Sequence, residues 1–391
     1  CGLIVAAGVA GSLMLGFVMA QLGSMMAEST PINLPEKLKI SAESSDAELR
    51  SQLTELAESF VEKETNTGIV IAVTRAGKRE IVPRGLLQAG GDDPISETTL
   101  FEIGSVSKSI TGLVMAEQVT TGKLKFDSEI TPHLPDAIPE LKIDDEAVTF
   151  GHLVTHNSGF PRLAFNTRPY APPFQTANPY AGFSEADLLK AITVAEGKLD
   201  RRGKDFNYSN FGFATLAWLL GKNGESTFPE LQKSVTDRLG MQDTWIELPE
   251  EKRSVLATGH LRGVEIPYWF DGGLYINGAG STVSTAVDLC AYLEALMGPN
   301  SIEGNLKEAL KLAITTQNPF NEQDRSGIAF GWFYQRTPGV RRVFGHSGAT
   351  AGFSSFVEFQ PGSRTGIIVL SNSSSEDVNR IGKLIAKSLF L

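Results

Sequence analysis

The chain has 391 residues, 41% of them hydrophobic, with 39 glycines and 19 prolines spread along it; this suits a globular protein with a large core and many turns and excludes a fibrous or low-complexity one. A net charge of -10, with no run of Lys and Arg, leaves no basic face to follow a phosphate backbone and excludes nucleic acid as a partner. Two cysteines, Cys1 and Cys290, are too few for a disulfide framework or a cysteine metal site.

Residues 1–26 contain no charged side chain and run into a polar, proline-bearing segment, Glu28 to Lys39. They read as a signal peptide or a membrane anchor. Ser24-Met25-Met26-Ala27 places small residues as a cleavage site would, while an apolar run of about 20 residues is long enough to span a bilayer. The expectation is an exported protein, periplasmic or extracellular, with residues 1–27 as signal or anchor, possible membrane contact through 1–26, and 28–44 as a linker.

The folded domain is expected over 45–391. Ser45-Asp46-Ala47-Glu48 is a capping box, and Leu49, Leu53, Leu56 and Phe60 continue it at helical spacing. Gly68 to Thr74 and Glu80 to Val82, joined at Ala76-Gly77, predict a strand hairpin. The middle of the chain carries helical patterns and long loops, including a proline- and aromatic-rich loop from Phe160 to Phe183 that we expect to overhang a cleft. Cys290 falls in a predicted helix, Ala286 to Met297, where it packs. Strands return at Arg342 to His346, Phe353 to Phe359 and Thr365 to Leu370, the last two separated by Pro361-Gly362. A final helix has Ser375 as its expected cap and Val378, Ile381, Leu384, Ile385 and Leu389 on one face. Strands from both ends of the chain predict an α+β fold: one antiparallel sheet flanked by N- and C-terminal helices, with a mostly helical insertion. The α/β part is expected over about 45–104 and 256–391, the helical part over about 105–255.

Three short patterns carry chemistry. Ser105-Val-Ser-Lys108 is the single Ser-x-x-Lys of the chain; Gly104 precedes it, and Ile110, Leu113 and Val114 continue a helix after it. Three residues apart on a helix, the Lys108 amine can reach the Ser105 hydroxyl, and the helix N-terminus favours a developing alkoxide. A serine hydroxyl needs a neighbour to take its proton, and a lysine does that only when desolvation or nearby cations lower its pKa. Tyr208-Ser209-Asn210 adds a phenol and an amide; Tyr275-Ile276-Asn277 repeats the triplet, so spacing alone does not choose between them. His346-Ser347-Gly348 ends a predicted strand and leads into small residues, where the backbone N–H of Ala349 could join that of Ser105 in an oxyanion hole. His152 and His156 have an i, i+4 spacing but lack the glutamate of a zinc peptidase helix, and no metal is expected. There is no Gly-x-Ser-x-Gly elbow and no phosphate-binding glycine loop.

In this order the three patterns resemble those of the serine β-lactamase and penicillin-binding protein superfamily, in its class C β-lactamase, DD-peptidase and esterase branch. Leu153-Val-Thr-His-Asn-Ser-Gly-Phe-Pro161 and Gly278-Ala-Gly-Ser-Thr-Val-Ser-Thr-Ala-Val-Asp288 support the resemblance, which spans about 50–390. It implies a β-lactamase/transpeptidase-like fold with a cleft between the α/β and helical parts. It also implies roles: Ser105 as nucleophile, Lys108 and Tyr208 for proton transfer, and Asn210, His346, Ser347, Gly348 and Ala349 for substrate binding, with no cofactor.

The resemblance favours Tyr208 over Tyr275. At the third motif class C β-lactamases carry Lys, whereas this chain carries His346, so recognition of a substrate carboxylate is expected to be weaker or pH-dependent. A DD-peptidase or D-aminopeptidase-like penicillin-binding enzyme is the first expectation, acting on a small peptide. A β-lactamase on β-lactams and a carboxylesterase on short esters remain open, as does a non-catalytic penicillin-binding sensor. Oligomeric state is not legible.

Overall fold

The computed structural model describes residues 30–143, 145–164, 182–195, 199, 206–268, 277–298, 302–320, 325–336 and 341–390. The chain divides into two units, Cys1–Asn33 and Leu34–Leu391. The expected signal or anchor thus lies outside the described residues, and among those described no helix is long and apolar enough to cross a membrane. Most of the 160–183 loop, residues 165–181, also lies outside them.

The second unit begins its regular structure with helix α1, Asp46–Val61. The Ser45 side chain accepts from the Glu48 N–H while Glu48 reaches back to the Ser45 N–H, so the predicted capping box is present. Leu49, Leu53, Leu56, Ala57 and Phe60 form its buried face. The hairpin follows as β1, Gly68–Arg75, and β2, Lys78–Gly85. After the middle of the chain come β3, Asn318–Pro319, β4, Ser326–Ile328, β5, Phe333–Gln335, β6, Val343–Ala349, β7, Ser354–Gln360, and β8, Thr365–Ser371. Together they make an eight-stranded antiparallel sheet in the order β2-β1-β8-β7-β6-β5-β4-β3.

Strands from the two ends of the folded unit are therefore neighbours, Ile69 pairing with Ser371 and Arg75 with Thr365. Every residue of β7 and β8 is buried. Since side chains alternate between the two faces, full burial along a strand means that both faces of the sheet are covered there; α1 packs on β1 and β2.

The middle of the chain supplies α2, Ser107–Thr120, α3, Phe150–Val154, α4, Glu185–Ala195, α5, Asn210–Asn223, and α6, Phe228–Arg238. Helix α7, Ala286–Leu296, carries the buried Cys290, and α8 spans Gly304–Ala313. Helix α9, Asp377–Leu389, closes the chain with Val378, Ile381, Ile385 and Leu389 buried, each contributing roughly 1.5–3 kcal/mol by burial. Its expected cap is corrected: Glu376 occupies the cap position and makes no side-chain cap bond, while the Ser375 hydroxyl accepts from the Asp377 N–H at 3.4 Å.

Helix α2 is apolar nearly all round, with Ile110, Leu113, Val114, Met115 and Ala116 buried, so it can only be an internal helix. It packs on α5, α6 and α8, and the turn that leads into it touches β6 and β7. The element carrying Ser105 and Lys108 is therefore held from the helical side and the sheet side at once.

Candidate active site

Ser105 sits in a single 3-10 turn, Gly104–Val106, that feeds α2. Gly104 has φ +49°, and a Cβ there would lie 2.7 Å from the Ala349 nitrogen. A Cβ at Gly348 would collide with the Ile103 carbonyl and lie 2.9 Å from the Ser105 nitrogen. Both glycines are needed because β6 and the serine turn approach backbone to backbone. This contact brings the Ser105 and Ala349 N–H groups to one seam. The Ser107 hydroxyl reinforces the turn, donating to the Gly104 carbonyl at 2.6 Å and accepting from the Thr282 N–H at 3.2 Å.

Lys108 is fully buried, with its Nζ 3.1 Å from the Ser105 Oγ. The amine also donates to the Ala279 carbonyl, which lies in the Gly278–Asp288 stretch singled out above. No carboxylate among the described residues pairs with Lys108. Burial, with the Arg162 charge adding to it, holds its proton affinity well below the ordinary lysine value. A neutral amine keeps two N–H bonds and a lone pair. One N–H serves Ala279, and the lone pair is free to face the Ser105 O–H.

Aromatic rings surround this amine. It lies 5.0 Å from the centroid of the Tyr208 ring and 5.7 Å from that of Phe213. His156 lies against Tyr208, ring centroids 4.3 Å apart, and against Phe213 at 4.7 Å. The His156 Nδ1 accepts from the Ser209 N–H at 3.0 Å and its carbonyl accepts from the Asn207 N–H at 2.7 Å. Burial, with the Arg162 charge adding to it, lowers the His156 pKa well below 6.5 and keeps it neutral. His152 and His156 are not a ligand pair: the His152 Nδ1 accepts from the Thr149 N–H at 3.2 Å, within the cap of α3.

The Tyr208-Ser209-Asn210 segment runs into α5. The Ser209 hydroxyl accepts from the Gly212 N–H at 2.8 Å as N-cap and donates to the Pro161 carbonyl at 2.7 Å. The Asn210 N–H donates to the Arg162 carbonyl at 2.9 Å. Tyr275, the competing tyrosine, lies outside the described residues.

From the sheet, His346 faces Tyr208 at 6.3 Å and Phe333 at 5.3 Å between ring centroids. Its Nδ1 is 2.7 Å from the Ser347 carbonyl, which can only accept, so Nδ1 carries the proton and Nε2 presents a lone pair. Burial pushes its pKa down to about 3. His346 therefore remains uncharged near neutral pH, which favours weaker carboxylate recognition over pH-dependent recognition, the two expectations for this residue.

The Ser347 hydroxyl lies away from this group. Alternation along β6 turns its side chain to the other face, where it donates to the Asn379 Oδ1 of α9 at 2.7 Å. Its hydroxyl does not join the group formed by Ser105, Lys108, Tyr208 and His346.

Two participants escaped the sequence reading. His156 belongs to the Leu153–Pro161 signature, but its place against the Tyr208 ring is not legible in that pattern. Arg162, directly after Phe160-Pro161, places its guanidinium carbon 5.0 Å from the Tyr208 ring centroid.

A large antiparallel sheet, a helical insertion, and a serine–lysine pair at the start of the helix between them define the class of serine hydrolases. A family profile described as Beta-lactamase matches residues 53–389, and the chain belongs to that family. A β-lactamase of Pseudomonas fluorescens is 24% identical over 370 residues, covering 85% of this chain and 96% of the relative. One of Escherichia coli K12 is 24% identical over 357 residues, covering 82% and 88%. Among solved structures, a class C β-lactamase superposes with a TM-score of 0.73 at 21% identity, over 89% of this chain and 100% of the other. A β-lactamase/D-alanine carboxypeptidase of Yersinia pestis gives 0.72 at 19%, over 88% and 99%. These likenesses bear out the α+β fold expected from the sequence.

Proposed function

We propose that this serine hydrolase works through an acyl-enzyme on Ser105, as a DD-peptidase or D-aminopeptidase-like penicillin-binding enzyme acting on a small D-alanyl peptide. The observation that carries the reading is the buried Lys108 amine, 3.1 Å from the Ser105 hydroxyl and without a carboxylate partner among the described residues. Its lone pair takes the Ser105 proton as the Oγ–C bond forms and the carbonyl electrons move onto oxygen. The N–H groups of Ser105 and Ala349 hold that oxyanion. When the intermediate collapses, the C=O re-forms and the amine leaves with the proton that Lys108 returns through the Tyr208 hydroxyl. Water then repeats the sequence on the ester, releasing the acid and regenerating Ser105.

A neutral His346 where class C β-lactamases place lysine supports the peptidase over rapid β-lactam hydrolysis. The second reading, a β-lactamase, draws support from the names of the relatives. Labelling wild type and Ser105→Ala with a fluorescent penicillin and a fluorophosphonate, then following loss of the label, decides between them. We expect Ser105-dependent labelling by both, with the penicilloyl label lost slowly. Rapid loss would establish the β-lactamase, and labelling that survives Ser105→Ala would remove the nucleophile.

A further inference from the structure

Among the described residues, Lys108, His346 and Arg162 are basic side chains around Tyr208 whose charge is suppressed or fixed in different ways. Lys108 and His346 are buried and their protonated forms are disfavoured. Arg162 is exposed, and a guanidinium stays charged at any pH a protein survives. Its backbone is pinned, the carbonyl accepting from the Asn210 N–H at 2.9 Å and the Phe211 N–H at 3.4 Å. Its guanidinium stands over the Tyr208 ring at 5.0 Å. Through Tyr208 this charge is one ring away from the Lys108 amine, itself 5.0 Å from the same centroid.

We propose that Arg162 is a specificity-determining residue, supplying a fixed positive charge beside Tyr208 and selecting substrates that carry a carboxylate on the Asn210 side of Ser105. The inference rests on the acyl-enzyme reading above. A guanidinium presents paired N–H donors matched to a carboxylate, while its alkyl stem and the tyrosine face keep it oriented. Neutral His346, with only a lone pair on Nε2, offers a carboxylate nothing. The charge that class C β-lactamases place on the sheet side is thus moved here to the helical side. The same charge adds to burial in disfavouring protonation of Lys108.

The test compares two matched pairs of ester or thioester substrates. One pair carries its carboxylate in the acyl half, N-succinyl against N-acetyl; the other carries it in the leaving half, a C-terminal acid against its amide. Wild type should prefer the acid of one pair by about 10-fold in kcat/KM, and the pair that responds assigns the half of the substrate that Arg162 reads. Arg162→Gln should bring that ratio close to one, mainly through KM, and Arg162→Lys should retain part of it. Raising the salt should shrink the wild-type ratio alone.

No acid preference in either pair, or a preference that Arg162→Gln leaves intact, overturns the proposal. Fluorophosphonate labelling of Ser105, run on every variant, keeps the two readings apart. Labelling without acid preference sinks the Arg162 assignment only, and loss of labelling in folded wild type sinks the acyl-enzyme reading beneath it.

Discussion

Lys108 and Lys63 occupy opposite electrostatic circumstances in one molecule. Lys63, just past the end of α1, donates to Asp377 at 3.0 Å, and Asp377 also receives Arg380 at 2.6 Å. The carboxylate is 3% exposed and two cations attend it. Lys108 is more deeply buried, yet no carboxylate among the described residues attends it, and two rings and a carbonyl take that place. A lysine with a buried counter-ion ties elements together. One buried without a counter-ion has its proton affinity lowered, and loss of that proton is what makes its lone pair available for chemistry.

The sharpest way to break this comparison is to remove each charge site in turn. Lys108→Met removes the proton acceptor from a place where no charge was stabilised. Acylation should fall by about 10^3-fold, while thermal stability should hold or rise, because an apolar chain replaces a desolvated amine. Single-turnover acylation and a melting curve on the same sample test both halves. In wild type the sign with pH is set by the lowered pKa of Lys108: the amine remains competent well below its ordinary 10.5, and activity disappears as pH falls through the lowered value. A collapse of stability in Lys108→Met would show that the amine had been a structural cation after all.

Asp377→Ala should do the reverse. Lys63 and Arg380 lose their shared acceptor at the start of α9, and stability should drop by about 2 kcal/mol. Acylation per folded molecule should stay within about twofold, since the stability loss is what a broken surface-to-core ion pair produces. Urea unfolding and active-site titration separate the two quantities. A loss of acylation in fully folded Asp377→Ala would place α9 inside the chemistry and end the contrast.

The same contrast explains what was legible in the sequence. Helix α1, the β1–β2 hairpin and strands β6 to β8 were readable because local signals announce them: a capping box, an Ala-Gly turn, a Pro-Gly turn and apolar runs. Strands β3 and β4 were not, since two or three residues containing proline or glycine carry no periodicity, and only the neighbouring strand defines them. Ser105, Lys108, Tyr208, Asn210 and His346 were found through motifs, and the structure brings Ser105, Lys108, Tyr208 and His346 together. What could not be read was their environment. Ala279 is 171 residues from Lys108, and the neutrality of His346 comes from burial that no pattern encodes. The direction of the Ser347 side chain has a simpler cause, because strand alternation sends it to the face opposite His346. Arg162 left a faint signal, an arginine directly after a Ser-Gly-Phe-Pro turn, but its ring partner is 46 positions further along.

The smallest effect concerns how Tyr208 is held. His156 gives it two supports, a ring face at 4.3 Å and, through Nδ1, an acceptor for the Ser209 N–H at 3.0 Å. The substitutions His156→Asn and His156→Phe divide them. In His156→Asn the amide oxygen can stand in for Nδ1 while the ring is lost, so kcat should fall about 10-fold with KM nearly constant. In His156→Phe the ring remains and the buried Ser209 N–H loses its acceptor, which should cost about 1–2 kcal/mol of stability with a lesser effect on kcat. Parallel losses of kcat and stability in both variants would make His156 ordinary core. The predicted split would make it a positioning residue, one whose ring aims the tyrosine and whose nitrogen anchors the backbone behind it.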